Sequence, residues 1–204
     1  MAFPSALVAT ELAAVNSILG AVGQAPVTTL DQTNPDVAVA YETLMEVNRE
    51  VQSEGWSFNV ENEYPFTPDI NGQILIPGNI LLLDLSHLFE NAGIDTVQRD
   101  GKLYNKTDHT YTWTNQVKCD VVWLFDFADL PIPFRAYIIA RASVHASTKM
   151  VGESTVYEML RQKESMGRAT VMEYECNQGD YSYLGTSKNM PFYNSYQPFK
   201  TLAR

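Results

Sequence analysis

The residues best suited by type and spacing to do chemistry are a carboxylate pair, Asp126 and Asp129, at the end of a predicted strand. Two such carboxyls held at a suitable separation serve as general acid and base in glycan hydrolysis. The same run, Phe125 to Pro131 (FDFADLP), reads equally as a strand-to-helix junction. There Asp129 would cap, or lie just ahead of, a helix starting near Pro131. The junction is the preferred reading. His87, His109 and His145 are each isolated in sequence, with no carboxylate or second histidine at metal-ligand spacing. His145 shares a predicted helix face with Arg141 and Tyr137, which suggests a polar surface cluster more than a base. Cys119 and Cys176 lie far apart, form no CxxC, and are expected to be reduced thiols. No GxSxG, HExxH, phosphate-loop or dinucleotide fingerprint occurs. The sequence therefore offers no catalytic residue, no metal ligand set and no cofactor site.

A ladder of Glu42, Glu46, Glu50 and Glu54 at four-residue spacing is the remaining chemical feature. On a helix its like charges repel by a few tenths of a kcal/mol per pair. The expected role is a solvated outer face; in a ring it could face an electronegative channel or a basic partner. Glu61 and Glu63 flank a strand end in the same acidic stretch.

The elements that must position these groups follow from periodicity. Leu12, Val15, Ile18, Leu19 and Val22 recur at helical spacing, with Thr10 or Ser5 as cap and Gly23 and Pro26 as stop. A second helix opens at Asn34 (N-cap), Pro35 and Asp36, carries Val37, Tyr41, Leu44, Met45, Val47 and Val51, and ends at Gly55. The period then switches to two: Trp56, Phe58 and Val60 alternate with polar residues and predict a strand. Further strands are expected at 73–76, 80–85, 96–99, 102–104, 111–114 and 117–125. Asp100-Gly101 should form a tight hairpin turn and Pro77-Gly78 another turn. Helical spacing returns from Phe134 through Tyr137, Ile138, Arg141, Val144, His145 and Thr148 to Gly152. A fourth helix is expected from Ser154 to about Cys176, with Val156, Met159, Leu160, Met166 and Tyr174 inward. Gly167 weakens it by about 1 kcal/mol and makes a bend there conceivable.

The fold class expected is α+β: a helical bundle from N- and C-terminal helices, an inserted antiparallel sheet region, and an irregular tail. The boundaries are 1–55 for the helical hairpin, 56–130 for the β region, 131–176 for the second helical part, and 177–204 for the tail. The tail has no period, yet Tyr181, Tyr183, Phe192, Tyr193, Tyr196 and Phe199 are interleaved with polar residues and prolines. Aromatics on an extended segment resemble interface anchors, and these six are the candidate interface residues. The alternative is a tail folded back on its own body.

The 204 residues, 45% of them apolar, can bury a sizeable core. The formal net charge of −10 argues against binding nucleic acid or anionic lipid, which needs clustered cations. It suits a surface that DNA slides past. No basic leader followed by an apolar run opens the chain, and no stretch approaches the ~20 apolar residues of a membrane span.

Glu11 to Leu30 (ELAAVNSILGAVGQAPVTTL) resembles the opening of the tail tubular protein A family, the adaptors (gatekeepers) of short-tailed autographivirus-type bacteriophages. The resemblance continues in Asn48 to Asn59 (NREVQSEGWSFN), Arg99 to Tyr104 (RDGKLY), Asp129 to Pro131, and the helix from Phe134 to Gly152. It covers most of the chain in the expected order, and the tail least. The specific element is the pairing of Ala-Val-Asn-x-Ile-Leu with Gly-Trp-x-Phe-Asn. The resemblance implies a structural subunit of the virion tail, made in the host cytoplasm and assembled as a homo-oligomeric ring of twelve. It implies partners too: the portal above, the nozzle (tail tubular protein B) below, tail fibres nearby, and genome DNA passing through without specific binding. It requires no catalytic residue. Two other classes stand beside it. A tail-associated glycan hydrolase would lose turnover on Asp126→Asn or Asp129→Asn without unfolding, and an unrelated interaction module would form no stacked ring with a portal.

Overall fold

Thr10 begins the described structure by capping the first helix: its hydroxyl accepts the Ala13 N–H at 3.3 Å. In this computed structural model, residues 10–31, 33–86 and 93–179 are described. Helix α1 runs Glu11–Ala21 and buries Ala14, Val15, Ile18 and Leu19. The chain leaves it through Gly23, at φ +80, a left-handed conformation that glycine adopts at little cost. Helix α2 spans Pro35–Gln52 and starts as expected, with the Asn34 side chain accepting the Asp36 N–H at 3.0 Å. Its buried stripe is Val37, Ala40, Leu44, Val47 and Val51.

The helix after the sheet begins one residue past Pro131, which is its N-cap: α3 covers Ile132–Met150. Asp129 lies just ahead of it in a 3₁₀ turn, Phe127–Asp129, and neither that turn nor α3 has a side-chain cap. Helix α4 runs Ser154–Gly179. The chain divides into two units: α1, α2 to Val51, and Phe125–Gln178 form the helical one, and Gln52–Leu124 the core of the other. In the helical unit α1 packs on α3, whose Phe134, Tyr137, Ile138 and Ala142 are buried.

The inward face of α4 differs from the periodic reading. Met159 and Met166 are 69% and 62% exposed, whereas Val171 is fully buried. Gly167 faces Tyr137, where an added Cβ would lie 3.5 Å from the ring and backbone. Tyr174 packs edge-on against Phe134 at 5.9 Å. With Gly167 turned to α3, its neighbour Met166 is rotated ~100° away.

In the sheet unit, β1 (Val60–Phe66), β5 (Val117–Trp123) and β2 (Ile80–Leu85) form an antiparallel sheet in the order β1-β5-β2. Phe66 lies opposite Val117 and Leu85 opposite Cys119. The register of β1 shifts between Glu61 and Tyr64, with Glu63 at φ 58 and its N–H donating to Asp120 Oδ1 at 2.8 Å. Strands β3 (Thr96–Arg99) and β4 (Lys102–Asn105) form a hairpin whose central residues, Asp100 and Gly101, both have positive φ (50 and 68), as the sequence required. The core is Phe66, Ile74, Leu103, Trp113, Cys119 and Val121, among others.

Five strand expectations are corrected. Residues 73–76 and 111–114 form only isolated bridges, Gln73 with Thr112 and Leu75 with Lys102. Their backbones are used one rung at a time, with Ile76 N–H donating to Gly101 O and Trp113 N–H to Gly72 O. Residues 56–59 are a turn, and the strand begins at Val60. The last expected strand stops at Trp123 rather than Phe125, and β4 extends to Asn105.

Candidate functional site

The reason for the turn at 56–59 is Asn59, which is 1% exposed and uses every polar group it has. Its Oδ1 accepts the Trp56 N–H at 2.8 Å, and its Nδ2 donates to Gln52 O and Trp123 O, both at 2.9 Å. Its backbone N–H donates to Trp56 O at 3.0 Å, and its carbonyl accepts the Trp123 N–H at 2.9 Å. A local side chain that satisfies the backbone this fully outcompetes a ladder, so alternation of Trp56, Phe58 and Val60 does not produce a strand. Gly55, at φ +76, completes the turn and lets Val60 and Val122 close over it.

Asn16 performs the same task in the helical unit. Its Nδ2 donates to Val27 O at 2.8 Å and its Oδ1 accepts the Val27 N–H at 2.7 Å, pinning the loop that follows α1. The two motifs that carry the family resemblance thus each centre on an asparagine clamping backbone. Sequence reasoning quoted both residues without seeing their role: the Asn16 partner lies 11 positions away, and those of Asn59 lie 3, 7 and 64 positions away.

Of the expected ladder, Glu42, Glu46 and Glu50 lie on α2 and are partly engaged within the helical unit, whereas Glu54 lies past the end of α2, in the other unit. Glu46 pairs with Lys149 at 2.9 Å, and Glu50 pairs with Arg141 of α3. Lys149 also donates to Thr43 Oγ1 at 3.2 Å. The hydrogen bond from Lys149, then its charge, holds the Glu46 carboxyl below the usual carboxylate range. Arg141 reaches the Tyr137 hydroxyl at 3.0 Å and lies 4.0 Å from Glu164 of α4, so one guanidinium links three helices. Glu42 and Glu54 are exposed.

The other chemical candidates do not converge. Asp126 precedes the 3₁₀ turn and Asp129 ends it, with the Asp129 N–H donating to Asp126 O at 3.0 Å. His145 is on α3 beside the Glu46–Lys149 pair, and its charge helps lower the Glu46 carboxyl. His109, at φ 54, follows the β4 hairpin. His87 and the six tail aromatics, Tyr181, Tyr183, Phe192, Tyr193, Tyr196 and Phe199, lie outside the described residues. Cys119 is buried and Cys176 exposed. Burial, then the carboxylates of Asp120 and Asp84, pushes the Cys119 thiol up to about 12. Among the described residues no three of His, Cys, Asp and Glu are grouped to hold a metal ion, and no helix is long and apolar enough to cross a membrane.

The family model described as tail tubular protein matches residues 12–181. The chain belongs to the tail tubular protein family. That match takes in α1 from Leu12 onward, α2 to α4, the segment Gln52–Leu124 and both asparagine clamps. Among members of the family, tail tubular protein A of Klebsiella phage KP34 is 34% identical over 123 residues, which is 59% of this chain. The aligned part spans 62% of that relative's length, less than two thirds. Membership makes this a structural phage tail protein, and its helices and antiparallel sheets give it an α+β fold.

Proposed function

We propose that the chain is a ring-forming adaptor that joins the portal to the tail nozzle, lines the channel for DNA ejection, and has fibres attached nearby. The observation that carries this reading is the family match over residues 12–181, which runs through both units. A cyclic ring needs heterologous contacts, a different patch on each flank, and closes only at the right rotation. The acidity of the chain supports a channel role, since a net charge of −10 repels the phosphate backbone. The role is structural and asks for no reacting group.

The six tail aromatics are proposed as anchors on a neighbouring subunit or the portal. A segment that orders only on docking delays assembly until the partner surface is present. Mixing the purified chain with portal rings and imaging by electron microscopy tests the main reading. The expected result is a second ring stacked on the portal, with twelve subunits. Portals that remain bare at micromolar chain would overturn it. Truncation after Asn177 tests the tail, and unchanged portal binding would remove the anchor role while leaving the adaptor reading standing.

A further inference from the structure

Of the six residues from Arg99 to Tyr104, three build the β3–β4 hairpin: Asp100 and Gly101 turn it, and Leu103 enters the core. Arg99, Lys102 and Tyr104 have no such task. They share the outer face with Val97, because the register sets Val97 opposite Tyr104 and Arg99 opposite Lys102. Leu75, 61% exposed and bridged to Lys102, widens that face by one row. The Arg99 guanidinium lies over the Tyr104 ring at 4.5 Å. The Tyr111 ring packs on Tyr104 at 4.8 Å, and its hydroxyl donates to Asp100 Oδ2 at 3.3 Å.

Two like charges directly opposite each other weaken a hairpin, so the Arg99–Lys102 pairing is a cost to the fold. The segment Gln52–Leu124 holds four cations, Arg99, Lys102, Lys106 and Lys118. Lys106 pairs with Asp95, and Lys118 lies 3.9 Å from Glu63. Arg99 and Lys102 form no ion pair among the described residues. Lys102 acts on Asp69 only through space, as the smallest influence on that carboxyl. On another flank of the same unit the charge is reversed. Strand β1 is an outer strand of the β1-β5-β2 sheet, whereas β3 packs beside β2 at the opposite side. Glu61, Asn62 and Glu63 are exposed along β1, and Glu61 has no ion pair among the described residues.

We propose that the outer face of the β3–β4 hairpin docks a second copy of this chain, setting Arg99 and Lys102 against Glu61 and Glu63 on the β1 edge of that copy. The inference rests on the ring reading, which supplies the neighbouring copy. A head-to-tail contact needs two different, complementary patches on separate flanks of one body, and the sheet unit carries both. Charge decides between occupants. Residues 180–204 of the chain itself hold one acid, Asp180, against Lys188, Lys200 and Arg204, and so do not complement two cations. Tyrosine and arginine are the residue types that dominate interface energy, and here they are stacked before docking, which lowers the ordering entropy of association. A guanidinium held flat on a ring presents its N–H fork to a carboxylate.

The test uses the full chain as an equal mixture of unlabelled and nitrogen-15-labelled protein, alone and with portal rings. A carbodiimide then joins amines to carboxylates that are in contact, and mass spectrometry reads the joined peptides. The expected result is Lys102 of one copy joined to Glu61 or Glu63 of another, with mixed isotopes, at a yield at least about fivefold lower in Arg99→Glu. Coupling between copies without a ring on the portal keeps this contact and removes the adaptor reading. Chain seated on portal rings with Lys102 joined only within its own copy, to the portal or to nothing overturns the contact and leaves the adaptor reading standing. Bare portals with no coupling between copies remove both. Duplex DNA that shields Lys102 from amine acetylation, where added chain does not, assigns the face to nucleic acid and also overturns the contact.

Discussion

At the residue scale the most telling side chains are the two motif asparagines and the buried thiol. Asn16 and Asn59 each satisfy backbone groups that no regular element can reach, so each specifies a turn and removes an unpaired buried amide or carbonyl. Cys119 illustrates how position decides reactivity. The thiolate is the reacting form, and burial pushes the Cys119 thiol up to about 12, while Cys176 is exposed. Iodoacetamide at pH 8 is expected to modify Cys176 alone in the folded chain and both cysteines in denaturant, as read by mass spectrometry. The same shift sets a pH dependence. The unfolded thiol releases its proton near its ordinary value of 9.0, whereas the folded one holds it until about 12. The folded state therefore binds more protons in that window, and stability contributed by the buried thiol is full below about 9 and lost as pH rises toward 12. Cys119→Ala should flatten that decline in urea midpoints taken from pH 8 to 10.5; an identical slope in both proteins would contradict it.

At the element scale, the contact of α3 with α4 turns on one glycine. Gly167 places its Cα against Tyr137 with ordinary van der Waals room, about 3.5 Å, for one added carbon. Alanine at that position removes the helix-interior cost of glycine, so Gly167→Ala is expected to stabilise by up to about 1 kcal/mol. Gly167→Leu forces a larger side chain into the Tyr137 ring and is expected to destabilise by about 1–3 kcal/mol. Paired denaturant curves check both signs, and destabilisation by alanine would show that the two helices approach more closely. The glutamate ladder of α2 also changes meaning at this scale. Two of its three rungs, Glu46 and Glu50, meet Lys149 and Arg141 of α3, so it works in part as a helix-pairing surface. Its outer rung, Glu42, remains the position to mutate for a solvent-facing or channel-facing role, whereas Glu54 lies past the end of α2.

At the scale of the whole molecule, a net charge of −10 governs encounters with DNA. Binding of duplex DNA is driven by cations displacing counterions, and this chain carries 14 Lys and Arg against 24 Asp and Glu. No retardation of a duplex is expected in a gel-shift assay at ~150 mM salt and micromolar protein. A salt-sensitive shift would point to a cationic patch that net charge conceals.

The sequence by itself determined the α+β class, the start of α2 and the stop after α3. It also determined the Asp100-Gly101 hairpin, because capping atoms, proline and left-handed glycine act within a few residues of their own position. It also carried the family, through two asparagine-centred motifs. The tertiary structure decided which alternating stretches become strands, since Trp56, Phe58 and Val60 alternate as a strand would while the Asn59 side chain imposes a turn. It decided which face of α4 turns inward, because a glycine invisible to hydrophobic periodicity seats Tyr137 and leaves Met159 and Met166 outside. And it decided the partners of Glu46 and Glu50, which lie 103 and 91 residues away. The last two outcomes depend on groups distant in sequence meeting in space, and the first on a polar side chain that hydrophobic alternation does not count, so the period of a single segment holds no record of them.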